Sequence, residues 1–99
     1  MLIEITEKAE LDLEKIDEYV LERWSKKILL DFYKKFEKII DNIANGKVVY
    51  QKHENSNYHK AIITKHNTLV YHLSEDKLTI IRVINNFRSE DNKEGRLIF

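Results

Sequence analysis

Four residues in the second half of the chain have the types needed for chemistry on a phosphate: Lys60, His72, Arg82 and Arg88. When an internal 2′-hydroxyl attacks a phosphodiester, cations stabilise the charge that develops and an imidazole can move the proton. That reaction needs no metal and no cofactor. The same groups could hold a phosphate or an acidic peptide without reacting, or simply solvate a surface. The choice depends on whether the fold brings the four together.

They lie in YHKAIITKHNTLVYHLSEDKLTIIRVINNFR, residues 58–88, where three runs of β-branched and aromatic residues are broken at Lys65-His66-Asn67 and Ser74-Glu75-Asp76-Lys77. This pattern predicts a three-stranded antiparallel meander. Side chains alternate along a strand, so parity sorts the meander into two faces. Ala61 and Ile63 oppose Tyr58, Lys60 and Ile62; Leu69, Tyr71 and Leu73 oppose Thr68, Val70 and His72. In the last run Ile81, Val83 and Phe87 oppose Ile80, Arg82, Ile84, Asn86 and Arg88. The set without cations is the better one to bury, which leaves Lys60, His72, Arg82 and Arg88 outward together. One β-bulge would invert everything beyond it.

The first half supplies the cover. Met1 to Ile5 alternates apolar and polar residues and predicts a short edge strand, with Thr6 as N-cap and Glu7 and Glu10 favouring a helix start. Ala9, Leu13, Ile16, Val20 and Trp24 form one helical stripe, with Glu10, Asp12, Glu14, Asp17 and Glu18 opposite it. Ser25 can cap a second helix running to Asn45 or Gly46, its apolar face built from Ile28, Leu29, Phe32, Phe36, Ile39, Ile40 and Ile43. So short a connection predicts an antiparallel helix hairpin. Lys47 to Asn57 reads as a loop with room for a short strand at Val48-Val49-Tyr50. The polar tail ends in Leu97-Ile98-Phe99, which would add a strand or dock on a groove. The expectation is one α+β domain over residues 1–99, ordered β-α-α-β-β-β, with the N-terminal strand and helix hairpin packed on one face of an antiparallel sheet.

Composition narrows the function. Lys+Arg and Asp+Glu both number 17, so bulk charge does not announce a nucleic-acid binder. The chain has no cysteine, and His53, His59, His66 and His72 lack metal-site spacing; no metal or cofactor is expected. With Gly46 and Gly95 as its two glycines the chain cannot build a glycine-rich phosphate cradle. Neither a leader pattern nor a run of roughly 18 apolar residues occurs, which predicts a soluble, cytoplasmic protein with no membrane contact.

Element order and several local pieces resemble the RelE/ParE toxins of bacterial type II toxin-antitoxin modules. The pieces are Ala9-Glu10-Leu11-Asp12-Leu13, Tyr19, Tyr58-His59-Lys60, the middle strand with Tyr71, and the final IIRVINNFR. The resemblance covers nearly the whole chain. It implies a growth-inhibiting toxin of the kind that stabilises plasmids, neutralised by a cognate antitoxin protein that wraps it. RelE-like members are mRNA interferases that cut mRNA on the ribosome, and ParE-like members inhibit DNA gyrase. Lys60 matches the basic position on the first meander strand, and Arg88 the arginine closing the last. Thr68 stands where the nuclease members carry arginine, and no tyrosine follows Arg88. His72 or Arg82 would have to substitute. A metal-independent endoribonuclease, a gyrase inhibitor, and an inactive interaction module with the same fold therefore all stay open, as does pairing with a second copy.

Overall fold

Two hydroxyl caps start the two helices. The computed structural model of the protein describes residues 1–46 and 57–85. Thr6 Oγ1 accepts a hydrogen bond from the Ala9 N–H at 3.1 Å, opening α1 (Glu7–Arg23). Ser25 Oγ accepts from the Ile28 N–H at 3.2 Å, opening α2 (Lys26–Ala44). Each cap satisfies a donor that the first helical turn would leave unpaired. Past the end of α2, Gly46 adopts φ +69°, a left-handed conformation that lacks the usual cost without a Cβ.

The four strands are β1 (Leu2–Ile5), β2 (Tyr58–Thr64), β3 (Asn67–Leu73) and β4 (Lys77–Asn85), in spatial order β1-β4-β3-β2. The meander β2-β3-β4 is antiparallel, and β1 adds to its edge parallel to β4. Both helices cover one face. The core joins Ala9, Ile16 and Val20 of α1, Phe32, Phe36, Ile40 and Ile43 of α2, and Ala61, Ile63, Leu69, Tyr71, Leu78, Ile80 and Val83 of the sheet. Across the hairpin the Tyr33 hydroxyl donates to Asp17 Oδ1 at 2.6 Å. Burial, then that carboxylate, pushes the phenol's pKa upward.

Parity describes the buried face of β2, despite an irregular pairing between Ile62 and Thr64, and that of β3 as far as Tyr71, although Val70, expected outward, is buried too; it fails inside β4. Val70 pairs with Arg82 but Tyr71 pairs with Ile80, so Ile81 is an extra residue with no partner in the register. It is a β-bulge, and it shifts the phase by one. Ile80 is therefore fully buried and Ile81 half-buried on the outward side, the reverse of the expectation, while Val83 beyond the bulge is buried as expected. Leu73 and Trp24 were also expected in the core. They lie at the end of β3 and the tip of the hairpin and are exposed. Arg88, Asn86 and Phe87, and the segments Val48-Val49-Tyr50 and Leu97-Ile98-Phe99, lie outside the described residues.

Candidate functional site

The outward face of the sheet is organised in rows set by strand register. Tyr58, His72 and Thr79 form one; Lys60, Val70 and Arg82 the next; Ile62, Thr68 and Ile84 the third. At the first row Tyr58 and His72 meet edge to face, ring centroids 6.4 Å apart. With Asn57, Thr79 and the bulged Ile81 they line a cleft of about 380 Å³. Lys60 stands exposed beside it, and Ile62 is 69% exposed. The fold thus brings Lys60 and His72 onto neighbouring rows of one face.

Arg82 begins in the Lys60 row, yet its guanidinium does not stay with the group. Its Nε donates to Asp12 Oδ2 at 2.7 Å and its Nη2 to Asp12 Oδ1 at 3.0 Å, a bidentate pair. Asp12 Oδ2 also accepts the Val83 N–H at 3.0 Å. Burial alone would push the Asp12 carboxyl up. The Arg82 and Val83 hydrogen bonds outweigh it, so its pKa falls below the ordinary carboxylate value, and the same pair raises that of Arg82.

The position of Asp12 explains why it is there. β1 pairs with β4 no further than Ile5 and Ile80, and beyond that point β4 would present an open edge. The start of α1 covers it instead. Thr6 N–H donates to the Ile80 carbonyl at 3.0 Å, Thr6 Oγ1–H to the bulged Ile81 carbonyl at 2.9 Å, and Asp12 takes Val83. Sequence reasoning put Asp12 on the solvent face of α1, but its side chain is only 11% exposed. A signal existed: Asp12 is three residues after Ala9 and four before Ile16, on the margin of the buried stripe.

Two further groups belong to the surroundings. Lys77 is 3.8 Å from Glu4 on the β1 side, a surface pair of small energetic weight. His66 lies in the β2-β3 turn but is 6% exposed, and burial, with Lys65 beside it, lowers its pKa. Among the described residues no three of His, Asp and Glu gather as a metal-binding group, and no helix is long and apolar enough to cross a membrane.

A family model for the ParE toxin of the type II toxin-antitoxin system, parDE, matches residues 3–88. No curated protein matches the chain by sequence. Among solved structures, the chain is similar to the chromosomal ParDE TA system from P. aeruginosa, with 12% identity and a TM-score of 0.69 over 86% of this chain and 95% of that one. It is also similar to the YoeB/ParE toxin from Agrobacterium tumefaciens, at 17% identity and a TM-score of 0.63 over 88% of this chain and 100% of that one. A third similar structure is the heterotetrameric YoeB-YefM toxin-antitoxin complex from Staphylococcus aureus, at 19% identity and a TM-score of 0.59, covering 88% and 99%.

Proposed function

We propose, from the premise that the chain belongs to the ParE toxin family of type II toxin-antitoxin systems, that it arrests growth by docking on a protein target without cutting RNA. The target is DNA gyrase, as the resemblance to ParE-like members implies, and a cognate antitoxin neutralises the toxin. The observation that carries this reading is the Asp12–Arg82 pair. A cation already neutralised bidentately cannot lend its charge to a phosphorane without breaking that pair. What stays outward among the described residues is one exposed lysine beside an aromatic and aliphatic surface of Tyr58, His72, Ile62, Ile81 and Ile84. Aromatic and aliphatic anchors with a basic rim suit a protein partner.

The experiment is induction of the chain without antitoxin, followed by a gyrase supercoiling assay with purified protein and primer-extension mapping of transcripts. Growth arrest with loss of supercoiling and intact transcripts is the expected result. Lys60→Ala and Ile62→Asp should each relieve the arrest while the fold survives. Discrete transcript ends with unaffected gyrase would overturn docking in favour of ribosome-dependent cleavage using Lys60 and His72. No arrest from a folded protein would leave only an inactive interaction module.

A further inference from the structure

We infer that two copies of this chain pair through the outer faces of their helix hairpins, α1 of one copy lying on α2 of the other. On α1, Glu7, Glu14, Glu18 and Glu22 fall on one exposed stripe, opposite the buried Ala9, Ile16 and Val20. Leu11 and Leu21 stand in the same face, 47% and 53% exposed. On α2 the exposed stripe opposite Phe36 carries Lys27, Lys34 and Lys38, with Leu30 beside it at 52% exposed and Asp31 and Asp41 on its margins. One hairpin therefore displays an acidic helix next to a basic one, each with large apolar side chains in the open.

Among the described residues neither stripe forms an ion pair, although on α2 Asp31, Glu37 and Asp41 each lie three residues from Lys34 or Lys38 and offset part of its charge. Glu14, Glu18 and Glu22 succeed one another at four-residue spacing, as do Lys34 and Lys38, and like charges at that spacing repel along a helix. Among the described residues the ion pairs are Lys77 with Glu4 and Arg82 with Asp12, and none involves a stripe charge. A surface of opposite sign would relieve both stripes, and each hairpin carries both.

Symmetry then fixes the register. A two-fold axis parallel to the helices, midway between α1 and α2, places α1 of one copy over α2 of the other and closes the dimer with one self-complementary patch. A two-fold rotation adds no translation along its axis. Residues level with each other inside one hairpin are therefore level across the interface. The Tyr33 to Asp17 hydrogen bond marks one such level. Counting outward from it along antiparallel helices puts Glu22 within one residue of Lys27, Leu21 within one of Leu30, and Glu18 and Glu14 within two of Lys34 and Lys38, offsets of about 3 Å or less, with Asp31 also near the Glu18 level. Long glutamate and lysine side chains span offsets of that size, so opposite charges come within reach across the interface. The 17 residues of α1 span roughly 25 Å, so two helices offer on the order of 500 Å² per copy, at the low end for a specific pair. The dimer is weak, reversible and sensitive to salt.

The pairing depends on neither the target nor the antitoxin, and its test uses the purified full chain. Sedimentation analysis should show a monomer-dimer equilibrium that weakens about tenfold as salt rises from low to high. Glu18→Lys alone and Lys34→Glu alone should each weaken it at least about tenfold by setting like charges face to face. The Glu18→Lys, Lys34→Glu double variant should restore it, because each partner then carries the exchanged pair. As the chain has no cysteine, mixing Leu21→Cys and Leu30→Cys variants under oxidation should yield the mixed disulfide over either same-site product. A chain that stays monomeric at all concentrations overturns the inference. So does a dimer indifferent to both reversals, or a correctly folded double variant, checked by circular dichroism, that fails to re-associate.

Discussion

Removing the Asp12 carboxylate should destabilise the toxin without touching the outward cleft. Asp12→Ala deletes the acceptor of two charged hydrogen bonds from Arg82 and one from the Val83 N–H. Charge-assisted bonds contribute about 1.5–3 kcal/mol each in favourable cases. The Arg82 side chain is 38% exposed and regains water when released, so its share is discounted to about 1–1.5 kcal/mol. The Val83 N–H, losing its acceptor at a covered edge, adds about 1 kcal/mol. A loss of about 2–2.5 kcal/mol corresponds to a Tm lower by roughly 8–20 °C for a domain of this size. Asp12→Asn keeps one acceptor and should lose about half as much. The carboxyl's folded pKa is depressed, so its contribution is complete above the ordinary carboxylate range and is lost as pH falls through the depressed value. Wild type and Asp12→Asn should therefore converge in stability at strongly acid pH. Urea unfolding followed by circular dichroism, in a double-mutant cycle with Arg82→Ala, measures the coupling directly. A coupling below about 0.5 kcal/mol at neutral pH would refute the edge-clamp argument.

Three other outcomes follow from the packing and titration of the fold. Ile80→Ala should cost about 2–5 kcal/mol and Ile81→Ala under about 1 kcal/mol by thermal melting, because the bulge buries the first and turns the second outward. Gly46→Ala should cost about 1 kcal/mol by strain alone, since φ is +69° and a Cβ there meets nothing within 4 Å. His66 is held neutral by burial and by Lys65, so stability is complete above its unfolded pKa of about 6.5 and declines as pH falls toward the lowered folded value. Urea midpoints at pH 7.5 and pH 5.5 should differ for wild type and much less for His66→Phe.

The helices were legible because their signals are local and repeated. Thr6 and Ser25 cap where their chemistry predicts, and the stripes of Ile16 and Val20 and of Phe32, Phe36, Ile40 and Ile43 are buried. The faces of β2 and β3 followed from alternation for the same reason. What alternation could not contain was the bulge, because nothing at Ile80, Ile81 or Arg82 differs in kind from an ordinary strand. The extra residue is defined by its register against β3, and its carbonyl is taken by Thr6, 75 residues away in sequence. Asp12 was misplaced for a related reason: a helical wheel ranks it among polar residues, and only the end of β1 pairing at Ile5 creates the open edge it covers.

The bulge also links the fold to the chemistry of the outward face. By adding one residue to β4 it turns Ile81 into the cleft beside Tyr58 and His72, making that surface more apolar. The next residue, Arg82, is drawn to Asp12 at the edge of β4 that β1 leaves uncovered beyond Ile5. The bulge therefore adds an aliphatic side chain to the face, and Asp12, covering the edge left where β1 pairing ends, withdraws a guanidinium from it. Both changes favour the proposed docking, which needs apolar area around a few polar anchors, over phosphate chemistry, which needs converging unpaired cations. Thr6 and Asp12 hold the bulge from α1 and are not among the residues lining the cleft, so the outward face is shaped from behind by the first two turns of that helix.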